Sequence, residues 1–122
     1  LGSFVQSSFL APEVLTERLQ AGGMLCLLGD RDLSARGVEV QFFGRTAKVP
    51  AGPASLALTT GATLIPVTLS FTPGGWRIVF HPPVEHSDVP TMAQAVASAF
   101  ERGIARYPAD WHMLQKLWLE DL

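Results

Sequence analysis

Met24-Leu25-Cys26-Leu27-Leu28-Gly29-Asp30-Arg31-Asp32 is an unbroken apolar run that ends abruptly in charge. Five consecutive apolar residues are what a strand buried on both faces requires. Charges at the end of such a strand emerge where open α/β sheets bind their ligands. The stretch therefore predicts an α/β domain with a buried strand over residues 24–28. Cys26 reads as a structural thiol inside it. Asp30, Arg31 and Asp32 stand exposed at its end.

The flanks extend this pattern. Upstream, Pro12-Glu13 suits a helix start and Gly22-Gly23 its end, with Val14, Leu15 and Leu19 on one face. Downstream, Val38, Val40 and Phe42 alternate with Glu39 and Gln41, the period of a half-exposed strand. Residues 54–60 predict a short helix closed by Gly61, with Leu56 and Leu58 available for burial. Residues 63–71 and 76–80 predict a hairpin around Thr72-Pro73-Gly74-Gly75, and Pro66 marks an edge or a bulge. Pro90 opens a longer helix whose apolar face is Met92, Val96, Ala99, Phe100, Gly103, Ile104 and Tyr107. Pro108 ends it, and Asp110 is placed to cap a last helix carrying Trp111, Leu114, Leu117 and Trp118.

Composition narrows the function classes. The chain has 122 residues, 48% hydrophobic and 16% charged, with net charge −2. It has apolar residues enough for a core and no basic field of the kind nucleic acid attracts. One cysteine excludes an internal disulfide framework. No run approaches the roughly 18 apolar residues of a membrane-spanning helix. Among the histidines, His81 and His86 flank a proline-broken stretch with no third ligand nearby, which favours surface roles over a metal site. No nucleophile elbow, Walker loop or dinucleotide glycine loop occurs. Gly52-Pro53 is not a phosphate loop, because proline lacks the amide donor. The cluster that remains is Gly29-Asp30-Arg31-Asp32. Two carboxylates and a guanidinium there suit a phosphate, a sugar or the orientation of a catalytic group, or else merely pair and solvate.

Three segments together resemble a known family: Gly29-Asp30-Arg31-Asp32-Leu33, Val38-Glu39-Val40-Gln41-Phe42-Phe43-Gly44 and Pro50-Ala51-Gly52-Pro53-Ala54. Thr63-Leu64-Ile65-Pro66-Val67, His81-Pro82-Pro83 and Asp110-Trp111-His112-Met113-Leu114-Gln115 add to them. The chain resembles the lysophospholipid acyltransferase superfamily, in the branch of the lipid A biosynthesis lauroyl acyltransferases. Within that branch it is similar to the actinobacterial enzymes that acylate phosphatidylinositol mannosides. The resemblance runs from about Ala11 to Leu122. It implies the C-terminal part of a glycerol-3-phosphate acyltransferase-like α/β fold, a central sheet flanked by helices. It also implies transfer of a fatty acyl group from acyl-CoA, as co-substrate, to a hydroxyl of a membrane glycolipid. The expected setting is the cytoplasmic face of the plasma membrane, with peripheral attachment and no metal or other cofactor.

The family's base is a histidine in a His-x4-Asp/Glu motif. Such a base is needed because a hydroxyl is a poor nucleophile until its proton is taken. Here the residues five after His81, His86 and His112 are His86, Thr91 and Leu117, none acidic. The family places the motif upstream of the Gly-Asp-Arg-Asp segment, so the expectation is a chain lacking the N-terminal half. By resemblance Asp30 is the supporting acidic residue of the site. Arg31, Asp32, Arg45 and Phe43 are the substrate-binding candidates, and Arg31 is placed to face a phosphate. Glu39 reads as an exposed strand residue and Lys48 as a solvated charge, while Phe42 reads as core. Residues 111–118 are a candidate membrane contact through their tryptophans, or a segment docked on the core.

Two other readings stand beside this one. A non-catalytic lipid- or partner-binding module would fold with a closed core. A small-molecule-binding α/β domain with another reaction would need a base or metal site. The acyltransferase portion instead predicts an exposed apolar sheet surface.

Overall fold

The computed structural model describes residues 12–32 and 34–122. Leu33 and Ala11, quoted above for the resemblance, lie outside them. The described residues form α1 (Pro12–Gln20), β1 (Val38–Phe42), β2 (Arg45–Val49), α2 (Gly52–Thr60), β3 (Val67–Thr72), β4 (Gly75–Phe80) and α3 (Val89–Arg106). Short 3-10 turns follow at Pro108–Asp110 and Leu119–Asp121. The α/β class holds. The strands pair as two antiparallel hairpins, β1–β2 and β3–β4, each a sheet of its own.

Helix α3 organises the molecule. Asp88 caps it, accepting hydrogen bonds from the Thr91 N–H (2.8 Å) and the Thr91 hydroxyl (3.0 Å), so orphan donors of the first turn are satisfied. Two stripes at i, i+4 spacing then face two neighbours. Ala93 and Ala97 lie under Val40, Phe42, Ala47 and Val49 of the first hairpin. Met92 and Val96 pack on Ala54 and Ala57 of α2, with Val84. Phe100 touches both clusters. The face read from the sequence is thus present, widened by Ala93 and Ala97. In α2 the buried residues are Ala54 and Ala57, while Leu58 is exposed. Small side chains let the helices approach closely, while Leu56 is partly buried. Gly61 closes α2 with φ 75°, where a Cβ would be strained.

The first hairpin was only half legible. Its second strand, Arg45–Val49, is not among the elements read from the sequence. The two-residue turn Phe43-Gly44 has φ 52° and 76°, the positive pair that matches the twist of a hairpin. A phenylalanine is uncommon there. Its N–H donates to the Glu101 carboxylate, and its ring lies 4.8 Å from that of Phe42 and 6.4 Å from that of Trp111.

Two expectations fail. Residues 24–28 belong to no helix or strand and pair with no strand among the described residues; Leu28 is 90% exposed, and Met24 and Cys26 are exposed as well. Cys26 is therefore not a buried thiol. A strand buried on both faces needs partners at its edges and layers above and below, and the described residues supply neither. The last helix is also absent. The Asp110 carboxylate accepts the Phe71 N–H of β3 at 3.0 Å and so caps nothing, and residues 111–118 run without helix as a strap over the first hairpin. Leu117 is buried, Trp111, Met113 and Trp118 pack on the core, and Leu114 is exposed. The Trp118 Nε1–H donates to the Phe42 carbonyl (3.1 Å). The strap is docked on the core, with both tryptophans partly buried.

Candidate functional site

An open cleft of about 430 Å³ lies between residues 27–30, β3 and the C-terminal half of α3. Its walls are mostly apolar: Leu27, Leu28, Val67, Leu69, Phe100 and Trp111 among them. Its polar groups are Asp30, Thr68, Ser70, Tyr107, Asp110 and His112. Gly29 brings the backbone over Phe100, where an added Cβ would lie 3.6 Å from the ring. Asp30 follows at the rim, exposed, and also borders a small apolar void over Phe42, Ala97 and Phe100.

These polar groups are not equally available. The Asp110 carboxylate is engaged by β3. The Thr68 hydroxyl lies 2.9 Å from His81 Nε2. Ser70 is buried, and its hydroxyl has no hydrogen-bond partner among the described residues. Arg45 forms the ion pairs found among the described residues, so Asp30 has no cationic partner there. Its carboxylate is presented to whatever enters the cleft. Among the described residues no three metal-ligating side chains come together.

The structure separates Asp30 from the other candidates. Arg31 turns away from the cleft: its Nε donates to the Lys116 carbonyl (2.9 Å) and its Nη1 to Gln115 Oε1. Asp32 accepts the Ser34 N–H at 2.8 Å. That bond, with the Ser34 hydroxyl, holds its carboxyl below the usual carboxylate range. Its own N–H donates to the Lys48 carbonyl (2.9 Å). Arg45 lies over the Trp118 ring (4.4 Å) and pairs with Glu120 and Asp121. Phe43 forms the hairpin turn and meets the cleft through Phe42 and Trp111, which line it. Glu39 stands opposite Lys48 on the polar face of the hairpin. Phe42 is buried, as its alternation predicts.

His112, Tyr107 and Ser70 were not singled out from the sequence as site residues. Tyr107 was placed on the helix face, and His112, though inside the quoted Asp110–Gln115 segment, was given no role. Nothing in Thr-Leu-Ser-Phe marks Ser70, because its position depends on where β3 meets α3.

Residues 8–120 match the family described as bacterial lipid A biosynthesis acyltransferase. The chain is 49% identical over 112 residues to a phosphatidylinositol mannoside acyltransferase of Mycolicibacterium smegmatis, covering 90% of this chain and 37% of that protein. It is 47% identical over 112 residues to the protein of that name from Mycobacterium tuberculosis, covering 90% and 35%. The chain spans little more than a third of the length of the curated relatives it matches.

Proposed function

The chain belongs to the bacterial lipid A biosynthesis acyltransferase family, and from that membership we propose that it contributes one wall of a site transferring a fatty acyl group to a hydroxyl of a membrane glycolipid. A phosphatidylinositol mannoside is the proposed acceptor and acyl-CoA the proposed donor. The observation that carries this reading is the apolar cleft with Asp30 at its rim, a carboxylate without a cationic partner among the described residues. Apolar walls suit an alkyl chain. A carboxylate accepts hydrogen bonds from sugar hydroxyls and gives none back when ionised. Asp30 is proposed to hold the acceptor hydroxyl while its oxygen forms the new ester bond. The thioester C–S bond breaks, and the departing thiolate takes up a proton.

The base that removes the hydroxyl proton is proposed to lie on polypeptide outside these 122 residues, since no histidine here has the carboxylate spacing of the family motif. Arg31, Asp32, Arg45 and Phe43 are proposed to position the rim and the strap, consistent with their bonds to Gln115, Lys48, Glu120 and the Trp111 ring. Peripheral attachment at the cytoplasmic face of the plasma membrane is the proposed setting. Among the described residues no helix is long and apolar enough to cross a membrane.

The test is a chimera in which this chain replaces the matching third of the M. smegmatis relative, assayed for acyl transfer from labelled acyl-CoA to phosphatidylinositol mannoside. Transfer is expected. Asp30→Asn should lower it roughly 10- to 100-fold, the worth of a hydrogen bond to a charged group. A folded chimera without transfer, or an Asp30→Asn chimera at full rate, refutes the reading.

A further inference from the structure

Ser70 is the only polar residue that is buried among the described residues, at 4% exposure. Its hydroxyl is also the only buried side-chain polar group among them without a hydrogen-bond partner. A buried hydroxyl left unbonded is destabilising, and such groups are few in folded proteins. Its place in the fold shows what meets it. Alternation along β3 puts Val67, Leu69 and Phe71 on the exposed face of the hairpin, and Thr68 and Ser70 on the face turned toward α3. The Thr68 hydroxyl is engaged there by His81. Ser70, one pleat further on, borders the cleft together with Gly103, Ile104 and Tyr107 of the α3 side.

We propose that the Ser70 hydroxyl donates its hydrogen bond to a neutral acyl carbonyl, that of a fatty acyl ester or thioester whose chain lies along the apolar walls of the cleft. The proposal rests on the reading of the cleft as part of an acyl-transfer site, and it names the group held there. Three observations choose the ligand. The cleft around Ser70 is lined by Leu27, Leu28, Leu69, Phe100 and Ile104, which suit an alkyl chain with few polar atoms. No lysine or arginine lines the cleft among the described residues, whereas the carboxylates of Asp30 and Asp110 do. An anionic oxygen, such as that of a free fatty acid, is therefore opposed there. A carbonyl oxygen, finally, is a neutral acceptor with no proton to give, so it suits the Ser70 hydroxyl and not an ionised Asp30. The two groups divide the ligand between them: the rim carboxylate takes hydroxyls, and the buried hydroxyl takes the carbonyl. Serine turns on one side-chain torsion, so its hydroxyl follows the ligand without a movement of β3.

The experiment titrates the 122-residue chain with decanoyl-CoA, with dioctanoyl phosphatidylinositol and with decanoate, each isotopically labelled at the acyl carbon. Infrared difference spectra read the carbonyl stretch of the bound probe. For the thioester, the ester or both, the carbonyl should absorb at lower wavenumber in the wild type than in Ser70→Ala. Ser70→Ala should bind that probe roughly 2- to 10-fold more weakly, the worth of a hydrogen bond between neutral groups. The probe that shows the shift identifies the source of the carbonyl, donor thioester or acceptor-lipid ester. The urea midpoint of the ligand-free chain should rise in Ser70→Ala, because the substitution removes a buried unbonded hydroxyl. Weaker binding with a higher midpoint is a pair of effects that a merely structural hydroxyl does not give. The proposal is overturned if neither carbonyl differs between wild type and Ser70→Ala, if neither probe binds, or if decanoate is the probe whose binding depends on Ser70. It is also overturned if the midpoint falls in Ser70→Ala, since the hydroxyl is then bonded within the chain. The transfer assay is read separately. A chimera that transfers acyl groups while Ser70→Ala leaves the carbonyl unmoved keeps the function and loses this proposal. A Ser70-dependent carbonyl beside a folded chimera without transfer does the opposite.

Discussion

The hairpins β1–β2 and β3–β4 have nearly equal strands and two-residue turns, and both lie against α3, yet their apolar faces point in opposite directions. In the first, Val40, Phe42, Ala47 and Val49 face the helix, and Glu39, Gln41, Thr46 and Lys48 face away. Its edges are closed as well. The Gln94 side chain accepts the Gln41 N–H (2.8 Å) and donates to the Gln41 carbonyl (2.9 Å) along β1, and Asp32 and Trp118 meet β2. In the second, the His81 N–H bond to the Pro66 carbonyl (2.9 Å) continues the alternation set by the turn. Val67, Leu69 and Phe71 therefore direct their backbone groups away from β4, and Asp110 takes up that of Phe71. One hairpin has its apolar face covered; the other leaves its apolar face uncovered among the described residues. Period-two alternation reports only that one face is apolar. Which way that face turns is decided by what else the polypeptide supplies.

The largest expected difference comes from matched truncations. Phe42→Ala should cost about 3–5 kcal/mol, the range for emptying a buried phenylalanine site. Phe80→Ala, at the exposed face, should stay within about 0.5 kcal/mol. Urea unfolding of the two variants measures both. Equal costs would mean that the second face is buried in solution, and the contrast would collapse.

Legibility followed the same divide. The β3–β4 hairpin was readable because Pro73-Gly74 is turn chemistry: proline fixes the first φ, and Gly74 takes φ 82° at the second. The second strand of the first hairpin was not, because Phe43-Gly44 carries a positive φ on a phenylalanine that tertiary contacts with Glu101 and Trp111 maintain. The run at residues 24–28 was read for a burial that the described residues do not give it. Asp110 was read as a cap because its partner, the β3 edge, is distant in sequence. Of the site, Asp30 was legible as a charge following an apolar run. Ser70, Tyr107 and His112 were not, because the cleft joins three segments that no local pattern connects.

The next effect tests how each hairpin meets α3. Alanines make the contact with the first; Gly103 makes it with the second. Gly103→Ala would press its Cβ onto Thr68, whose nearest atoms lie at 2.4–2.7 Å, and should cost about 1–3 kcal/mol as overpacking does. Adding Thr68→Ala removes the hydroxyl and the methyl and should recover part of the loss. No recovery would place the cost in the helix and not in the contact.

A smaller effect is expected at the closed edge. Gln94→Leu removes both bonds to Gln41 and should cost about 1 kcal/mol, since water replaces them at an exposed strand. Native-state exchange of the Gln41 amide should accelerate while that of the Ala47 amide, paired across the hairpin, stays protected. If Gln41 exchanges at its original rate, the side-chain amide is not what closes the edge.

The smallest effect concerns protons. His81 ends the second hairpin with Nε2 beside the Thr68 hydroxyl, and burial, followed by the charge of Arg102, holds its pKa below the ordinary 6.5. In the unfolded chain the ordinary value returns. Between the folded value and 6.5 the unfolded state binds more protons, so stability falls as the pH drops through that window. Above 6.5 the neutral ring is favoured in both states, and the contribution is complete. Urea midpoints taken from pH 8 to pH 5 should therefore decline more steeply below 6.5 in the wild type than in His81→Gln, and Arg102→Gln should shrink the excess slope. The corresponding contact of the first hairpin behaves differently. Arg45, raised above its ordinary value chiefly by its bond to Glu120, stays charged throughout, so Arg45→Gln should displace the whole curve without changing the slope contributed by His81. Superimposable slopes for wild type and His81→Gln would mean that the ring is hydrated and that the second hairpin is open at its β4 end as well as on its face.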